Sequence, residues 1–513
     1  MAKKSTTDTC CLTLPLKLEK WQMDRLEKRF EIARQIYNTL LNFELKKLRR
    51  LEESEEYKAV NDEIREALNS GKPSSEVKKL YKRLDKLRRD AGFDEYAFKT
   101  DIKDFYKHFK DNIRSSVAVH GITSQVWSAF DRLFYGNGKK VHFKKKGELN
   151  SVRGYSATGK SGGVEIIYRG EYIEWNGLKL PIKIDSENEY EQEMLQMRVK
   201  YCRLIRKPGK HKTHWYVQLS LEGKPAVKYD KQTHAPKHPV GQGVVGIDIG
   251  PQTIAYVSEQ EVDLRELADK TNSIERERRI LQRKLDRSRR ATNPDNYAED
   301  GTIRRGVKLT RNKSKRYLRN ERKLAALYHQ QAESRKRQHI ELANHLLSLG
   351  DTFIVEDMNW ESLARRAKNT EISEKTGKFK RKKRFGKSLG NKAPATLLSI
   401  LKQKLESRGT GAYIKVDPAQ LKASQYNHLT GECQKKPLSQ RWNDMPDGRR
   451  IQRDMYSAFL LQHTNAEQNG YDDEGLNRDY EAFVERHDSV IEKLRNEPHT
   501  IASMGIVRTP SGH

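Results

Sequence analysis

Val244-Val245-Gly246-Ile247-Asp248-Ile249-Gly250 is apolar over its whole length except for one acid. On a strand, where side chains alternate between two faces, Asp248 shares a face with Gly246 and Gly250, while Val245, Ile247 and Ile249 point the other way. Glycines beside the acid are expected to leave room there for a ligand. A lone aspartate at such a place could equally cap a turn. Phe353-Ile354-Val355-Glu356-Asp357 repeats the device, an apolar strand ending in acids. Burying an unpaired carboxylate is costly, so two such strand ends in one domain suggest a shared cation. A third acid, Asp454, stands in Ile451-Gln452-Arg453-Asp454-Met455-Tyr456-Ser457-Ala458-Phe459. Read as a helix, this segment puts Asp454 over Ala458 on the face shared with Ile451 and Leu461, and the small residue lets the acid approach a strand. Three carboxylates on two strands and a helix are the hard oxygen ligands that Mg²⁺ prefers. A pair of such ions about 3.5–4 Å apart can activate water and stabilise the leaving oxygen in phosphodiester cleavage.

Outward from the first strand, Val244 to Val257 reads as a strand and hairpin, followed by two long basic helices at about 262–290 and 312–349. The strand Thr352 to Glu356, a basic loop through Lys387, a helix over Ala395 to Ser407 and a strand at Ala412 to Val416 complete an alternation that argues for an α/β domain. Before it, Gly223 to Gly243 is a Pro/Gly/Lys-rich linker, and residues 136–225 are dominated by strand-like segments such as Val164 to Tyr168, Tyr172 to Trp175 and His214 to Leu221. These suggest a small β-barrel or sandwich. The chain from Trp21 to about Leu133 is charged and helix-rich, with Leu26, Phe30, Ala33, Ile36, Tyr37, Leu40 and Leu41 as a first apolar stripe. A short alternating segment, Cys11 to Leu14, precedes it, and the acidic tail after about 464 reads as helical.

The 513 residues carry 100 Lys+Arg against 70 Asp+Glu, a formal charge of +30 that points to a polyanionic partner, nucleic acid foremost. An anionic membrane is disfavoured: no apolar run reaches the roughly 18 residues that span a bilayer, and no basic-then-apolar leader opens the chain. A soluble intracellular protein is expected. Cys10, Cys11, Cys202 and Cys433 contain no C-x-x-C pair, which argues against both a disulfide framework and a cysteine zinc site.

Together these residues resemble the transposon-encoded TnpB proteins and their relatives, the compact type V CRISPR effector nucleases. Gly246-Ile247-Asp248-Ile249-Gly250 is similar to the first RuvC motif, Ile354-Val355-Glu356-Asp357-Met358-Asn359 to the second, and Gln452-Arg453-Asp454 with Ser457-Ala458 to the third, in the family's order. Gln35-Ile36-Tyr37-Asn38 resembles the start of the family's recognition domain, and Val141-His142-Phe143-Lys144-Lys145-Lys146 the basic stretch leading back into its wedge domain. The resemblance covers roughly residues 10–462. It implies a multidomain protein of mixed α+β and α/β class. The first part of a wedge β-domain spans 1–15, a helical recognition domain 16–135, the wedge β-barrel 136–225 and a linker 226–243. A RuvC-like nuclease domain of RNase H fold spans 244–425, a degenerate zinc-ribbon-like insertion 426–448, the third-motif helix 449–463 and a C-terminal extension 464–513. It further implies Asp248, Glu356 and Asp454 as catalytic, metal-binding acids served by Mg²⁺ or Mn²⁺, a guide RNA and a target DNA as partners, and a cytoplasmic, nucleoid-associated site in a prokaryote. In such systems base pairing reads the target while the protein reads a short flanking duplex motif.

The family's zinc ribbon has two C-x-x-C pairs. Lys422-Ala423-Ser424-Gln425 matches the approach to it, but the cysteine positions fall on Asn427, Thr430, Asp444 and Asp447, so no zinc is expected and packing around Trp442 and Tyr426 should hold any hairpin there. Among basic residues, Lys144, Lys145 and Lys146, then Arg283, Lys284 and Arg287 on the helix after the first motif, are candidate phosphate contacts. Lys380, Arg381, Lys382 and Lys383 lie between Phe379 and Phe385, where interleaved aromatics suit stacking on exposed bases, although such a tract could also be a solvated basic loop. Three other functions compete. An RNA-guided repressor without cleavage would not need all three acids. A single-strand transposase needs a His-hydrophobic-His triplet that is absent here. A structural RNA-binding protein has no use for acids at strand ends.

Overall fold

A computed structural model of the chain describes residues 7–136, 138–155, 165–209, 213–271, 273–365, 369–370, 372, 377, 385–409, 411–437, 439–497 and 501–507. It divides into two units, Met1–Ala226 and Val227–His513. Among the described residues no helix is long and apolar enough to cross a membrane.

The first unit mixes helices and strands around one main core. Strand β1 (Thr9–Pro15) buries Cys10, Leu12 and Leu14 alternately, and α1 (Lys20–Glu53) buries the whole stripe read from its sequence. Helices α2 (Glu55–Asn69) and α3 (Ser74–Asp90) close on a small core of Tyr57, Val60, Ile64 and Leu84. They are followed by α4 (Glu95–Asp101), α5 (Lys103–Tyr106) and α6 (Thr123–Phe134). The β part comprises β2 (Ser151–Tyr155), β3 (Ile166–Tyr168), β4 (Tyr172–Trp175) and β5 (Leu178–Pro181), then α7 (Glu189–Leu195), β6 (Val199–Pro208) and β7 (Thr213–Glu222). One antiparallel sheet has the order β1-β7-β6-β2 and the other β3-β4-β5. They are stitched where Lys17 N–H donates to the Pro181 carbonyl and Lys183 N–H to that of Pro15. At the opposite edge Gly154 packs on Ile166. The buried Glu165 carboxylate ties helices to sheet by accepting from Arg114 N–H (2.7 Å), Val117 N–H (2.9 Å), Trp175 Nε1 (3.0 Å) and Asn176 Nδ2 (3.0 Å).

In the second unit a five-stranded sheet lies between two helical layers. Strands β8 (Val244–Ile249), β9 (Thr253–Val257) and β10 (Val262–Glu266) form an antiparallel meander, while β11 (Thr352–Glu356) runs parallel to β8 and β12 (Ala412–Val416) parallel to β11. The resulting order is β10-β9-β8-β11-β12. Between these strands run α8 (Glu275–Thr292), α9 (Lys315–Leu349), α10 (Trp360–Ala364), α11 (Gly386–Lys392) and α12 (Pro394–Arg408). After β12 come α13 (Pro418–Leu421), two small hairpins made of β13 (Tyr426–Asn427) with β14 (Glu432–Cys433) and β15 (Trp442–Asp444) with β16 (Arg450–Gln452), then α14 (Arg453–Gln462) and α15 (Asp473–Asn496). The period-two alternation of the strands sorts the core. Val245, Ile247, Ile249, Phe353 and Val355 pack under α9 and α12, whereas Ala255, Val257 and Ile354 pack under α14 and α15.

The first basic helix does not begin at 262. Residues Val262–Glu266 are β10, and the helix starts at Glu275. Val262 and Leu264 are buried at spacing two, a strand period, and Asp263, also buried, pairs with Arg265 and with the Tyr256 hydroxyl across the hairpin. The segment 449–463 likewise is not all helix, since Arg450–Gln452 completes the second hairpin before α14 begins.

Candidate active site

Strand β8 delivers Asp248 and strand β11 delivers Glu356. The parallel ladder pairs Ile354 with Gly246 and Val355 with Ile247, which makes Asp248 and Glu356 the next residues on adjacent strands, on the α14 face of the sheet. Asp454, 8% exposed, comes from the first turn of α14. That helix is held by a bond from the Met455 N–H to the Gln452 side chain (2.8 Å) at its N-cap.

Gly246 explains how the helix gets there. A Cβ built on it would lie 2.0 Å from the Ala458 carbonyl oxygen and 2.3 Å from the Gln462 nitrogen, so the backbone of α14 rests directly on this glycine. The space on the acid's face was expected to serve a ligand; over Gly246 it is filled by helix. Only near Gly250, where an added Cβ would be in ordinary contact 3.4 Å from Thr253 Oγ1, does that face open.

Burial, then the charges of Asp454 and Glu356, push the Asp248 carboxyl well above the ordinary aspartate range, while Arg453 and Arg441 pull it back. Burial raises that of Glu356 as well. Among the described residues no group hydrogen-bonds to the carboxylate of Asp248 or Glu356. Asp454 is differently placed: Arg453 Nη2 and Nε lie 3.1 and 3.3 Å from its Oδ1, and Arg441 Nη1 is 4.0 Å from its Oδ2. As the side chains stand, no three His, Cys, Asp or Glu among the described residues converge to metal-ligating distance. The donor set nevertheless suits a hard divalent cation: it is all carboxylate, two members have no hydrogen-bond donor among the described residues, and the charges of Glu356 and Asp454 both act on Asp248.

The two hairpins between Tyr426 and Gln452 hold together through their own turns. The Asn427 side chain accepts from Leu429 N–H (3.1 Å), Thr430 Oγ1 from Glu432 N–H (3.4 Å) and Asp447 from Arg449 N–H (3.1 Å), while Asp444 pairs with Arg450 (3.5 Å). Gly431 and Gly448 follow Thr430 and Asp447 at φ of +70° and +83°. Tyr426 stacks on Tyr471 with centroids 4.8 Å apart, and Trp442 Nε1 donates to the Gly505 carbonyl (2.8 Å). A further anchor, not read from the sequence, is the buried His428. Its Nδ1 lies 2.6 Å from the Tyr456 hydroxyl and its ring sits edge-on to Tyr480 at 4.6 Å.

Of the basic candidates, Arg283, Lys284 and Arg287 are exposed on α8. Lys145 and Lys146 are exposed on the segment preceding β2. Lys144 is not free in the same way. It is half-buried, its amide donates to Asn38, its carbonyl accepts from Arg34 and Asn38, and its ammonium lies 4.9 Å from the Tyr37 ring centroid. Burial lowers its pKa. Lys380, Arg381, Lys382 and Lys383 lie outside the described residues.

No protein-family model and no curated protein matches the sequence. Solved structures resemble the fold only weakly. A chain of the Cas12f1-sgRNA-target DNA complex aligns over 90% of this chain and 100% of its own at 12% identity and a TM-score of 0.42. A chain of a CRISPR-Cas12f ternary complex aligns over 87% of this chain and 82% of its own at 13% identity and a TM-score of 0.24. With so little geometry shared, function has to be read from the acid cluster itself.

Proposed function

We propose that the chain is a metal-dependent endonuclease with a RuvC-like catalytic unit of RNase H fold, and that it cuts DNA at sites chosen by a bound guide RNA. The observation that carries the nuclease reading is the placement of three acids on one face of the sheet, with Asp248 and Glu356 on adjacent parallel strands and Asp454 on the helix that crosses Gly246. An antiparallel meander extended by two parallel strands in the order β10-β9-β8-β11-β12 is the arrangement that an RNase H fold requires. Asp248, Glu356 and Asp454 would hold Mg²⁺ or Mn²⁺, which when bound supplies an activated water and stabilises charge on the leaving phosphodiester oxygen. The chain's own residues supply the rest. Adjacent strand ends fix Asp248 and Glu356, the Gly246 contact sets the depth of α14, and the two arginines beside Asp454 keep three carboxylates from repelling each other apart. Guide RNA and target DNA are what the resemblance of the three motifs implies, and the +30 charge suits a large polyanion of either kind.

The test is single replacement of each acid. Full-length protein purified with its RNA should cut a plasmid matching that RNA, and Asp248→Ala, Glu356→Ala and Asp454→Ala should each abolish cutting while retaining RNA and DNA binding. Wild-type cutting by Asp454→Ala would refute the assignment of the acids. RNA of random sequence, or cutting without RNA, would point to an unguided nuclease.

A further inference from the structure

Among the described residues Arg453 is the cation in closest contact with Asp454, and its contacts define a role that the acids alone do not. Its side chain is 12% exposed, and Nε and Nη2 both address one oxygen, Oδ1 of Asp454, at 3.3 and 3.1 Å. Its third nitrogen, Nη1, donates to the Gln440 carbonyl at 3.1 Å, and its own amide donates to the Arg441 carbonyl at 2.9 Å. One guanidinium thus fastens the acid to the chain entering the β15 hairpin. A planar fork can hold two acceptors in fixed relative positions, whereas an ammonium on a flexible stem holds them as a point charge. Oδ2 of Asp454 accepts no hydrogen bond from any described residue, Arg441 being 4.0 Å away.

We propose that Arg453 is a positioning residue for Asp454: it occupies Oδ1, leaves Oδ2 as the single oxygen offered to a divalent cation, and stands in for that cation's charge when none is bound. This rests on the nuclease reading above and adds two consequences to it. Because the guanidinium is a fixed positive charge beside the cation site, it weakens metal binding; because it orients Asp454, it is needed for turnover. The two effects have opposite signs in a variant lacking it. That distinguishes orientation from mere structural support, whose loss would weaken both together.

The experiment uses the full-length chain and Mn²⁺ alone, with binding followed by the loss of the free-ion electron paramagnetic resonance signal and with Asp248→Ala as the blank for sites elsewhere. Arg453→Ala should bind Mn²⁺ more tightly than wild type, on the order of tenfold for removal of a unit charge so close to a dication. Its turnover on guided DNA should fall on the order of 100-fold, the scale of an ångström-sized misplacement of a catalytic group. Arg453→Lys keeps the charge and loses the fork, so it should bind Mn²⁺ as wild type does and still turn over slowly. Unchanged Mn²⁺ affinity in Arg453→Ala, or full turnover in Arg453→Lys, overturns the proposal. If wild type shows no Mn²⁺ binding beyond the Asp248→Ala blank, the nuclease reading itself fails, an outcome separate from the other two.

Discussion

Adding one methyl group at Gly246 tests whether the depth of α14 on the sheet sets the site. Gly246 does not adopt a left-handed backbone, so alanine costs nothing in local conformation and the effect is purely steric. The new Cβ would stand 2.0 Å from the Ala458 carbonyl oxygen, where ordinary contact begins at 3.4 Å, leaving a shortfall of 1.4 Å. Both clashing atoms, Ala458 O and Gln462 N, are helix backbone and cannot rotate aside, so α14 as a whole must shift. Asp454 rides on that helix one turn before Ala458, and so do the buried Met455, Tyr456, Phe459 and Leu461. Overpacking of this kind costs about 1–3 kcal/mol, which lowers a melting midpoint by about 2–4 °C per kcal/mol in a unit of this size. Displacing a catalytic acid by about 1 Å costs on the order of 100-fold in rate. Gly246→Ala should therefore remain folded by circular dichroism, melt several degrees lower and cut guided plasmid about 100-fold more slowly. Gly250→Ala, whose Cβ would meet only Thr253 Oγ1 at 3.4 Å, should melt as wild type does. A Gly246→Ala protein with wild-type melting and wild-type rate would show that the helix does not bear on this glycine.

Three further outcomes follow from the same geometry. The raised Asp248 carboxyl means that the folded, metal-free protein binds this proton more tightly than the unfolded chain, whose aspartates titrate near pH 4. Its stability contribution is therefore lost as pH rises through that window, and Asp248→Asn should melt above wild type in chelator, by a margin larger at pH 7 than at pH 5; no margin at pH 7 would contradict the burial of this charge. Elemental analysis should find zinc well below one ion per chain, because Asn427, Thr430 and Asp447 bond their own turns and Asp444 pairs with Arg450, whereas one tightly held zinc would reveal other ligands. Replacing Arg283, Lys284 and Arg287 together with Ala should reduce the slope of log affinity for RNA against log salt by about 0.7–0.9 for each phosphate that is no longer neutralised, and an unchanged slope would make them a solvated helix face.

The elements easiest to read were those with one unambiguous period and full burial. Thr352–Glu356 occupies the expected residues because a central parallel strand is an apolar run, and Ala412–Val416, also where expected, is the half-exposed edge strand beside it. The α1 stripe is buried as expected because every third or fourth residue is apolar over many turns. Strand β10 was hidden in the helix that follows it, since its polar residues Asp263 and Arg265 pair with Tyr256 on a neighbouring strand, a satisfaction that no local pattern announces. The half-burial of Lys144 was hidden for a similar reason: its neighbours Asn38 and Arg34 lie more than a hundred residues away in the chain.

The acids themselves were visible because a carboxylate at the end of an apolar strand contradicts its surroundings, and that contradiction survives in one dimension. What holds them was not visible, because it is assembled from ordinary residues at long range. Gln452 shows this best. Its side chain caps α14 through Met455 and also donates to the Met504 carbonyl at 3.3 Å, while its amide donates to His487 Nε2 at 3.0 Å. The two residues before Asp454 thus face in two directions, Arg453 toward the acid and Gln452 toward the C-terminal segment. Besides these bonds to Gln452, the acidic tail after 464, which read as an extension, packs Leu476, Phe483 and Ile491 into the core beneath the helix that carries the third acid. Cutting that tail away would therefore unseat Asp454 before it changed any residue of the site.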